Sequence, residues 1–194
     1  MKSGYIYPIG TPGQPWSEEE RKAWLATQEV KRSYQDEVVS KIDALRERFD
    51  VEQYGALSYN EARFPLFCIK TRNWDSTKPI VLVTGGVHGY ETSGIHGALK
   101  FVETEAERYA EHFNIVIAPC VSPWGYEVIN RWNPNAIDPN RSFYKDSPAE
   151  ESANLMKLVA TLGDVFMHID LHETTDSDET EFRPALAARD GRSE

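Results

Sequence analysis

The stretch Pro79-Ile-Val-Leu-Val-Thr-Gly-Gly-Val-His88-Gly-Tyr-Glu91 contains the pattern that decides the fold of this chain. Its unbroken apolar run is typical of a strand that is buried on both faces of a parallel sheet. The run ends in two glycines, and a histidine and a glutamate then follow three residues apart. A strand that delivers two metal-ligand types to one sheet edge predicts a second histidine at the end of another strand. His172 meets that expectation, because it directly follows the apolar-rich segment Val165-Phe-Met-His-Ile-Asp-Leu.

Three apolar runs, separated by helical patterns, place the chain in the α/β class. The runs cover residues 80–84, 114–119 and 165–171. Residues 92–113 are predicted to form a helix, and Ser147 with Pro148 predicts the N-cap and first residue of another, which ends near Gly163. Right-handed crossovers bring the carboxyl ends of all three strands to one edge. We therefore expect a mainly parallel mixed sheet between helices, a three-layer α/β/α arrangement, with ligands at that edge.

The region before these strands is charged and helical in pattern. Ser17 and Glu20 form a capping box, and the apolar residues that follow indicate one long helix or two, from Ser17 to about Phe49. Short β-like runs at residues 51–59 and 64–70 could pair as neighbouring strands. We assign no chemistry to the helical region, since a helix of this kind is usually a solvated face laid against a core.

Composition and charge argue against several classes of partner. The net charge of −10 argues against nucleic acid, because proteins that bind it present a basic face. No apolar run approaches the ~20 residues of a membrane span, and the N-terminus lacks the apolar core of a signal peptide. We therefore expect a cytoplasmic protein without a membrane partner. Cys68 and Cys120 lie in apolar runs without CxxC spacing, so we expect reduced core cysteines instead of a disulfide or metal site.

His88, Glu91 and His172 form a candidate metal site. A catalytic zinc ion needs three protein ligands and one open position, and imidazole nitrogen with carboxylate oxygen suits it. An isolated His-x-x-Glu pair is a weak signal, and packing is the alternative for a histidine, as we expect for His168 in the middle of its strand. The common sheet edge of the three residues favours a site for one zinc ion per chain.

The polar loop after the second apolar strand supplies cationic groups beside this edge. A hydrolase that acts next to a free carboxylate must polarise the scissile carbonyl and clamp the carboxylate, and Arg131 and Arg141 could divide these tasks. Asp138 could accept a hydrogen bond from a ligand histidine and so fix its tautomer. The alternatives are surface ion pairs for the arginines and simple turn chemistry for residues 138–141.

Four motifs, in this order along the chain, resemble the zinc carboxypeptidase superfamily. They are His88-Gly-Tyr-Glu91, Ser122-Pro-Trp-Gly-Tyr-Glu-Val-Ile-Asn-Arg131, Asp138-Pro-Asn140-Arg141-Ser-Phe143 and Asp170-Leu-His172-Glu. The last motif resembles in particular the succinylglutamate desuccinylase and aspartoacylase branch and its bacterial peptidase-like relatives. With this resemblance, which spans about residues 79–175, we interpret residues 51–194 as a carboxypeptidase-like catalytic domain. Residues 1–50 are then a helical segment packed on it.

The resemblance implies a role for each candidate residue. It implies zinc ligation by His88, Glu91 and His172. It implies substrate-carboxylate binding by Asn140 with Arg141, carbonyl polarisation by Arg131, and support of the first histidine by Asp138. Two departures from the family pattern are a proline between Asp138 and Asn140, and the Ser-Pro-Trp-Gly sequence where Asn-Pro-Asp/Arg-Gly is commoner.

The resemblance also implies a catalytic glutamate several tens of residues beyond the third ligand, whereas the sequence ends at Glu194. Glu173 could substitute for it, although the neighbour of a strand-end ligand usually points away. We expect an incomplete version of a longer enzyme, with an exposed apolar sheet edge that favours association. The expected activity is hydrolysis of an amide or peptide bond next to a free carboxylate in a peptide or small molecule, by a metallocarboxypeptidase or an N-acyl amino acid deacylase. The alternative is a zinc-binding module without catalysis.

Overall fold

The computed structural model describes residues 8–173, which form a five-stranded mixed sheet with helices on both faces. The strands are β1 (Asp50–Ala56), β2 (Pro65–Lys70), β3 (Ile80–Gly85), β4 (Asn114–Ala118) and β5 (Val165–Leu171). The helices are α1 (Glu18–Leu25), α2 (Ser40–Ala44, after a π-helical turn at Gln35–Val39), α3 (Thr92–Thr104), α4 (Ala106–Tyr109), α5 (Pro123–Val128) and α6 (Glu150–Leu162), with a 3₁₀ turn at Pro139–Arg141. None of these helices is long and apolar enough to cross a membrane.

The sheet has the strand order β1-β2-β4-β3-β5. β1 pairs antiparallel with β2, and β2 antiparallel with β4, whereas β3 runs parallel to both β4 and β5. The three parallel strands are the three apolar runs of the sequence, and their carboxyl ends meet at one edge. This arrangement confirms the predicted α/β class and brings the residues that follow β3, β4 and β5 together.

Alternate residues of β3 and β4 pack into two separate apolar cores, one on each face of the sheet. Val83 and Ile117 belong to a cluster that includes residues of α2 and α3 on one face of the sheet. Leu82 and Val116 belong to a second cluster, which Leu155 of α6 joins on the other face. Burial on both faces explains why these strands are continuously apolar. Both cysteines are buried and free, as the sequence predicts.

The two long helical patterns of the sequence are each interrupted. Ser17 and Glu20 form the predicted capping box of α1, but this helix ends at Leu25 and regular helix resumes only at Gln35. The helix predicted over residues 92–113 is broken at Glu105, whose φ of −127° is not helical. The second half continues as the short α4 and then as turns before β4.

Two other local predictions are wrong. The helix expected to start at Ser147 starts at Glu150 with Ala149 as its N-cap, because the Ser147 hydroxyl accepts a hydrogen bond from the Ala149 amide in a preceding turn. The segment after β4, which the sequence indicates as a loop, contains α5. This helix ends where Ile129 adopts a left-handed φ of 55°, and it buries Tyr126 completely.

Strand β5 lies at the edge of the sheet, paired only with β3 among the described residues. Its large apolar side chains are exposed, with relative exposures of 65% for Phe166, 46% for Met167 and 41% for Ile169. The apolar edge that the sequence analysis expects is therefore present in the described part of the chain.

Candidate metal centre

The turn after β3 brings His88 and Glu91 to the carboxyl edge of the sheet. Gly86 begins it in the left-handed region, with φ of 61°, which a glycine adopts at low cost. Gly89 lies against α5, where a Cβ would come within 2.1 Å of the Tyr126 backbone nitrogen. The Glu91 amide then donates to the His88 carbonyl at 3.1 Å, and α3 begins one residue later. The glycines thus permit the sharp turn that aims both side chains inward.

His88, Glu91 and His172 converge as the sequence predicts. The Glu91 carboxylate lies between the two imidazoles, with Oε1 2.7 Å from Nδ1 of His88 and Oε2 2.7 Å from Nδ1 of His172. The two rings have centroids 5.3 Å apart. One ligand atom from each of the three residues lies within 4.8 Å of the others. Three such donors around one point can hold a zinc ion and leave a position open.

The outer nitrogen of each histidine bonds a second carboxylate. Nε2 of His88 lies 2.9 Å from Oδ1 of Asp138, and Nε2 of His172 lies 2.7 Å from Oδ2 of Asp170. A carboxylate on the outer nitrogen fixes the tautomer that turns a lone pair inward, which is the usual support of a metal-ligating histidine. The residues present therefore fit zinc in donor type, in number and in their outer hydrogen bonds.

The His88 side of the site is buried and electrostatically balanced. Burial alone would raise the pKa of Asp138, but the hydrogen bond from His88 and the nearby charges of His88 and Arg131 lower it below its ordinary value. Burial alone would also raise the pKa of Glu91, and the contacts with His88 lower it. For the His88 imidazole burial lowers the pKa, yet its bonds to Asp138 and Glu91 outweigh burial and raise it.

Asp138 connects the metal site to Arg131. Its carboxylate accepts a hydrogen bond from Nε of Arg131 at 3.3 Å and caps the 3₁₀ turn by accepting from the Asn140 amide at 2.9 Å. Burial alone would lower the pKa of Arg131, but Asp138 and Tyr90 raise it above its ordinary value, so the guanidinium stays charged. Arg131 is therefore held beside the ligand pair, with only 18% of its side chain exposed.

Asn140 and Arg141 lie on the turn that Asp138 caps. Asn140 lines a groove of about 530 Å³ together with Thr84 and Asp170, so it lies on the β5 side of the site. Arg141 is exposed, and within residues 8–173 its guanidinium makes no ion pair or hydrogen bond. The turn thus presents one amide and one uncommitted cation near the ligand set.

Several residues around the site escape the sequence prediction. Asp170 supports His172 as Asp138 supports His88, and its two-residue spacing from His172 on a strand was the available signal, since such residues share a face. Thr84 contacts Asp170, and Tyr90 contacts Arg131. The packing predicted for His168 is wrong, because β5 is an edge strand and the His168 ring is exposed, 2.8 Å from the Thr84 hydroxyl.

Within residues 8–173, three carboxylates lie next to the ligand set, and each is engaged in hydrogen bonds. Asp138 and Asp170 each bond a histidine. Glu173 turns away from the ligands, and its Oε2 accepts from the backbone nitrogen and the hydroxyl of Ser93, at 3.1 and 2.9 Å, at the start of α3. In the described part of the chain, these three carboxylates are therefore not free to take a proton from a water molecule beside the ligands.

Comparison with known proteins gives one family match. The model of the zinc carboxypeptidase family matches residues 17–163, a stretch that contains His88 and Glu91 and ends before His172. No curated protein sequence matches the chain.

Solved structures share the fold. A candidate metallopeptidase from Shewanella amazonensis is 22% identical with a TM-score of 0.61, over 70% of this chain and 54% of that one. A metallo-carboxypeptidase from Pseudomonas aeruginosa is 15% identical with a TM-score of 0.53, over 82% and 40%. Carboxypeptidase A from Helicoverpa armigera is 16% identical with a TM-score of 0.53, over 84% and 47%. This chain thus spans about half the length of these proteins.

Proposed function

The chain belongs to the zinc carboxypeptidase family, and we propose that it is a zinc-dependent hydrolase of the carboxypeptidase type. Its substrate is a peptide with a free C-terminal carboxylate, and the bond that is cut lies next to that carboxylate. One zinc ion is held by His88, Glu91 and His172. The assignment of these ligands, and of the roles that follow, is part of the proposal.

One observation carries the proposal: three ligand atoms lie within 4.8 Å of one another, and each histidine among them has a carboxylate on its outer nitrogen. A buried ion-pair cluster of purely structural function has no need of two histidines turned toward one point. The zinc ion, when bound, would supply Lewis acidity for the carbonyl and would lower the pKa of a water molecule.

Arg131 and two residues of the turn at 138–141 have the remaining roles in the proposed reaction. Arg141 is exposed, and no residue between 8 and 173 engages its guanidinium, which suits a group that must meet a carboxylate through two parallel hydrogen bonds. Asn140 adds an amide on the same turn. Arg131 is fixed by Asp138 and stays charged, so it can stabilise negative charge on the carbonyl oxygen without reorganisation.

Carboxypeptidase chemistry and deacylation of N-acyl amino acids both act next to a free carboxylate. The family match and the fold comparisons support carboxypeptidase chemistry. The resemblance of Asp170-Leu-His172 to the desuccinylase branch supports deacylation. We therefore propose a peptide substrate. Hydrolysis of N-acyl amino acids in its place would assign the deacylase activity.

A pair of substrates tests the proposal directly. The zinc-loaded protein is incubated with an N-blocked dipeptide as the free acid and with the same dipeptide as its C-terminal amide, and release of the C-terminal amino acid is measured. We expect turnover of the acid alone. Arg141→Ala should lower kcat/KM by about 10- to 100-fold, the range for one charge-assisted contact. Arg108→Ala is the control. It removes an exposed arginine of α4 that pairs with Glu105, and it should leave kcat/KM unchanged.

Three results would contradict the proposal. Equal cleavage of acid and amide would remove the role of the carboxylate. Faster release of acetate or succinate from N-acyl amino acids than of amino acids from dipeptides would assign the deacylase activity instead. A zinc-loaded protein that turns over neither class would support the second candidate, a zinc-binding module without catalysis. That candidate is motivated by the engagement of Asp138, Asp170 and Glu173, which leaves none of them available as a base.

A further inference from the structure

A chain of side-chain hydrogen bonds runs across one face of β3 and β5 to the third proposed ligand. Nε2 of His168 lies 2.8 Å from Oγ1 of Thr84, and the same hydroxyl lies 2.7 Å from Oδ1 of Asp170. The other oxygen of Asp170, Oδ2, lies 2.7 Å from Nε2 of His172. Thr84 and Asp170 are also direct partners in the register of the two strands, so backbone and side chains hold them together.

Each bond in this chain has one possible direction. The Thr84 hydroxyl donates its single proton to Oδ1 of Asp170. Thr84 can therefore only accept from His168, whose Nε2 carries the proton. His172 donates from Nε2 to Oδ2, so its Nδ1, which lies 2.7 Å from Oε2 of Glu91, is the nitrogen that faces the other ligands and that would supply a lone pair to zinc. The chain thus selects the tautomer of His172 that a metal site needs.

His172 requires this support because of where it lies. It follows an edge strand that pairs only with β3 among the described residues, and 35% of its side chain is exposed, against 2% for His88. Packing therefore contributes little to its orientation. Thr84, by contrast, is fully buried in a strand with neighbours on both sides. A side chain on the rigid strand can fix the position of one on the exposed strand.

We propose that Thr84 is a positioning residue that holds His172 in its zinc-binding orientation through Asp170, and that His168 completes the chain by donating to Thr84. This inference rests on the proposed function in one respect, the zinc ion bound by His88, Glu91 and His172. Neither Thr84 nor His168 belongs to the proposed ligand set of His88, Glu91 and His172. Their effect passes through the carboxylate of Asp170, which acts directly on a ligand.

A structural role for the same contacts makes a different prediction. If the bond between Thr84 and Asp170 only joins two strands, its loss weakens the sheet and leaves the affinity for zinc in the folded protein unchanged. Affinity and stability must therefore be measured separately. Thr71 offers a matched control, because it is a buried threonine beside the same sheet whose hydroxyl accepts from the Ile115 amide at 3.0 Å.

The experiment measures the zinc affinity of full-length variants by competition with a chromophoric chelator, alongside unfolding in urea. Thr84→Val should weaken zinc binding by up to about 10-fold, the lower end of the range for loss of the direct outer partner of a ligand histidine, because it leaves Asp170 itself in place. Thr84→Ser should restore the affinity, because it keeps the hydroxyl. Thr71→Val should lower stability and bind zinc like wild type. His168→Leu should weaken binding less than Thr84→Val does, and His168→Gln, which retains a donor, should not weaken it.

A spectroscopic readout keeps the inference testable if Thr84→Val does not fold. Long-range ¹H–¹⁵N correlation of the imidazole nitrogens in the zinc-loaded protein should show His172 protonated at Nε2 in wild type, and a mixture of Nε2- and Nδ1-protonated forms in His168→Leu. Equal zinc affinities for Thr84→Val, Thr71→Val and wild type would overturn the inference, as would an unchanged His172 tautomer in His168→Leu. Absence of zinc binding from wild type would end both proposals, whereas zinc binding without hydrolysis would contradict only the hydrolase.

Discussion

The two histidines of the proposed zinc site carry the same kind of partner but stand in different surroundings. His88 lies in a buried turn between β3 and α3, and its partner Asp138 also holds Arg131 and caps the turn that carries Arg141. His172 ends an edge strand, and its partner Asp170 is held by Thr84 across one pair of strands. The two histidines thus have the same chemistry, but packing in the interior supports His88 and a chain of hydrogen bonds supports His172.

This difference separates two properties that a metal site can have. Groups buried among paired charges contribute to the stability of the fold even without metal, because removing one partner leaves the others buried and uncompensated. Groups at an exposed edge contribute little to the stability of the fold, and their order depends on the hydrogen bonds that hold them and on the metal. The His88 side should therefore act as a fixed platform, and the His172 side as the part of the site that the hydrogen bonds of Asp170 position and that zinc stabilises further.

The largest expected difference is between His88→Ala and His172→Ala. Both variants should lose zinc, as measured by metal analysis after gel filtration. In the metal-free protein, His88→Ala should lower the unfolding free energy by about 3–5 kcal/mol, because the carboxylates of Glu91 and Asp138 remain buried without their shared partner. His172→Ala should cost less than about 1 kcal/mol, because Glu91 keeps its bond to the Glu173 amide.

His112→Ala serves as the control for both, since His112 is exposed and its ring, among residues 8–173, contacts only the ring of Phe113. It should retain zinc and wild-type stability. Equal losses of stability in His88→Ala and His172→Ala would show that the two sides of the site are supported alike.

Hydrogen exchange should show the next largest effect. Zinc at 100 times its Kd adds about 2.7 kcal/mol to any opening that releases a ligand, which slows exchange about 100-fold. Opening of β5 releases His172, so its amides should gain this protection. Local opening of β1, at the far edge of the sheet, leaves the ligands in place, so amides that exchange by that route should not change. The comparison is made by mass spectrometry with and without zinc, and uniform protection of β1 and β5 would contradict it.

The two outer carboxylates should differ next. Asp138→Asn and Asp170→Asn should each weaken zinc binding by about 10- to 100-fold in a chelator competition. Only Asp138→Asn should also lower the unfolding free energy of the metal-free protein, by about 1–2 kcal/mol, because it weakens the cap of the 3₁₀ turn and the pair with Arg131. Asp43→Asn, at an exposed pair with Arg46, is the matched control and should change neither quantity. A larger loss of stability for Asp170→Asn would reverse the comparison.

The same contrast explains what could be predicted from the sequence. The buried strands and the converging ligands could be predicted from local patterns. An apolar run predicts a buried strand of a parallel sheet, and a residue that follows such a strand lies at the carboxyl edge of the sheet. The role of Asp170 depends on the register that sets Thr84 opposite it, and a register between distant segments is not written in either one alone. The exposure of His168 likewise depends on β5 being an edge strand, which is a property of the assembled sheet.

Local helix signals failed in two places, for different reasons. Ser147 and Pro148 form a valid helix start, yet the Ser147 hydroxyl accepts from the Ala149 amide in a competing local turn. Residues 123–128 lack a helical apolar pattern, and their helix is held by burial of Tyr126 and by the close approach to Gly89. Propensity is a weak guide at residues 123–128, because the contacts that decide there come from other elements.

The smallest expected effect concerns Glu173, which lies beside His172 in sequence but belongs to neither side of the site. Its carboxylate accepts from the amide and hydroxyl of Ser93 at the start of α3. Glu173→Gln keeps an acceptor oxygen and removes a negative charge from a helix N-terminus, so the unfolding free energy should fall by about 0.5–1 kcal/mol. Zinc affinity and the rate of peptide hydrolysis should remain those of wild type.

The rate is the informative measurement for this variant, since Glu173 could serve as a base only if its side chain left Ser93 and turned back past His172. A glutamine in its place would then abolish turnover while zinc content and stability stayed the same. That outcome would make Glu173 the missing base and would mean that the cap on α3 is exchanged for catalysis in each cycle. Loss of a small amount of stability with unchanged turnover would instead confine Glu173 to the helix, and would leave His172 with Asp170 as its side-chain partner on the edge of the sheet.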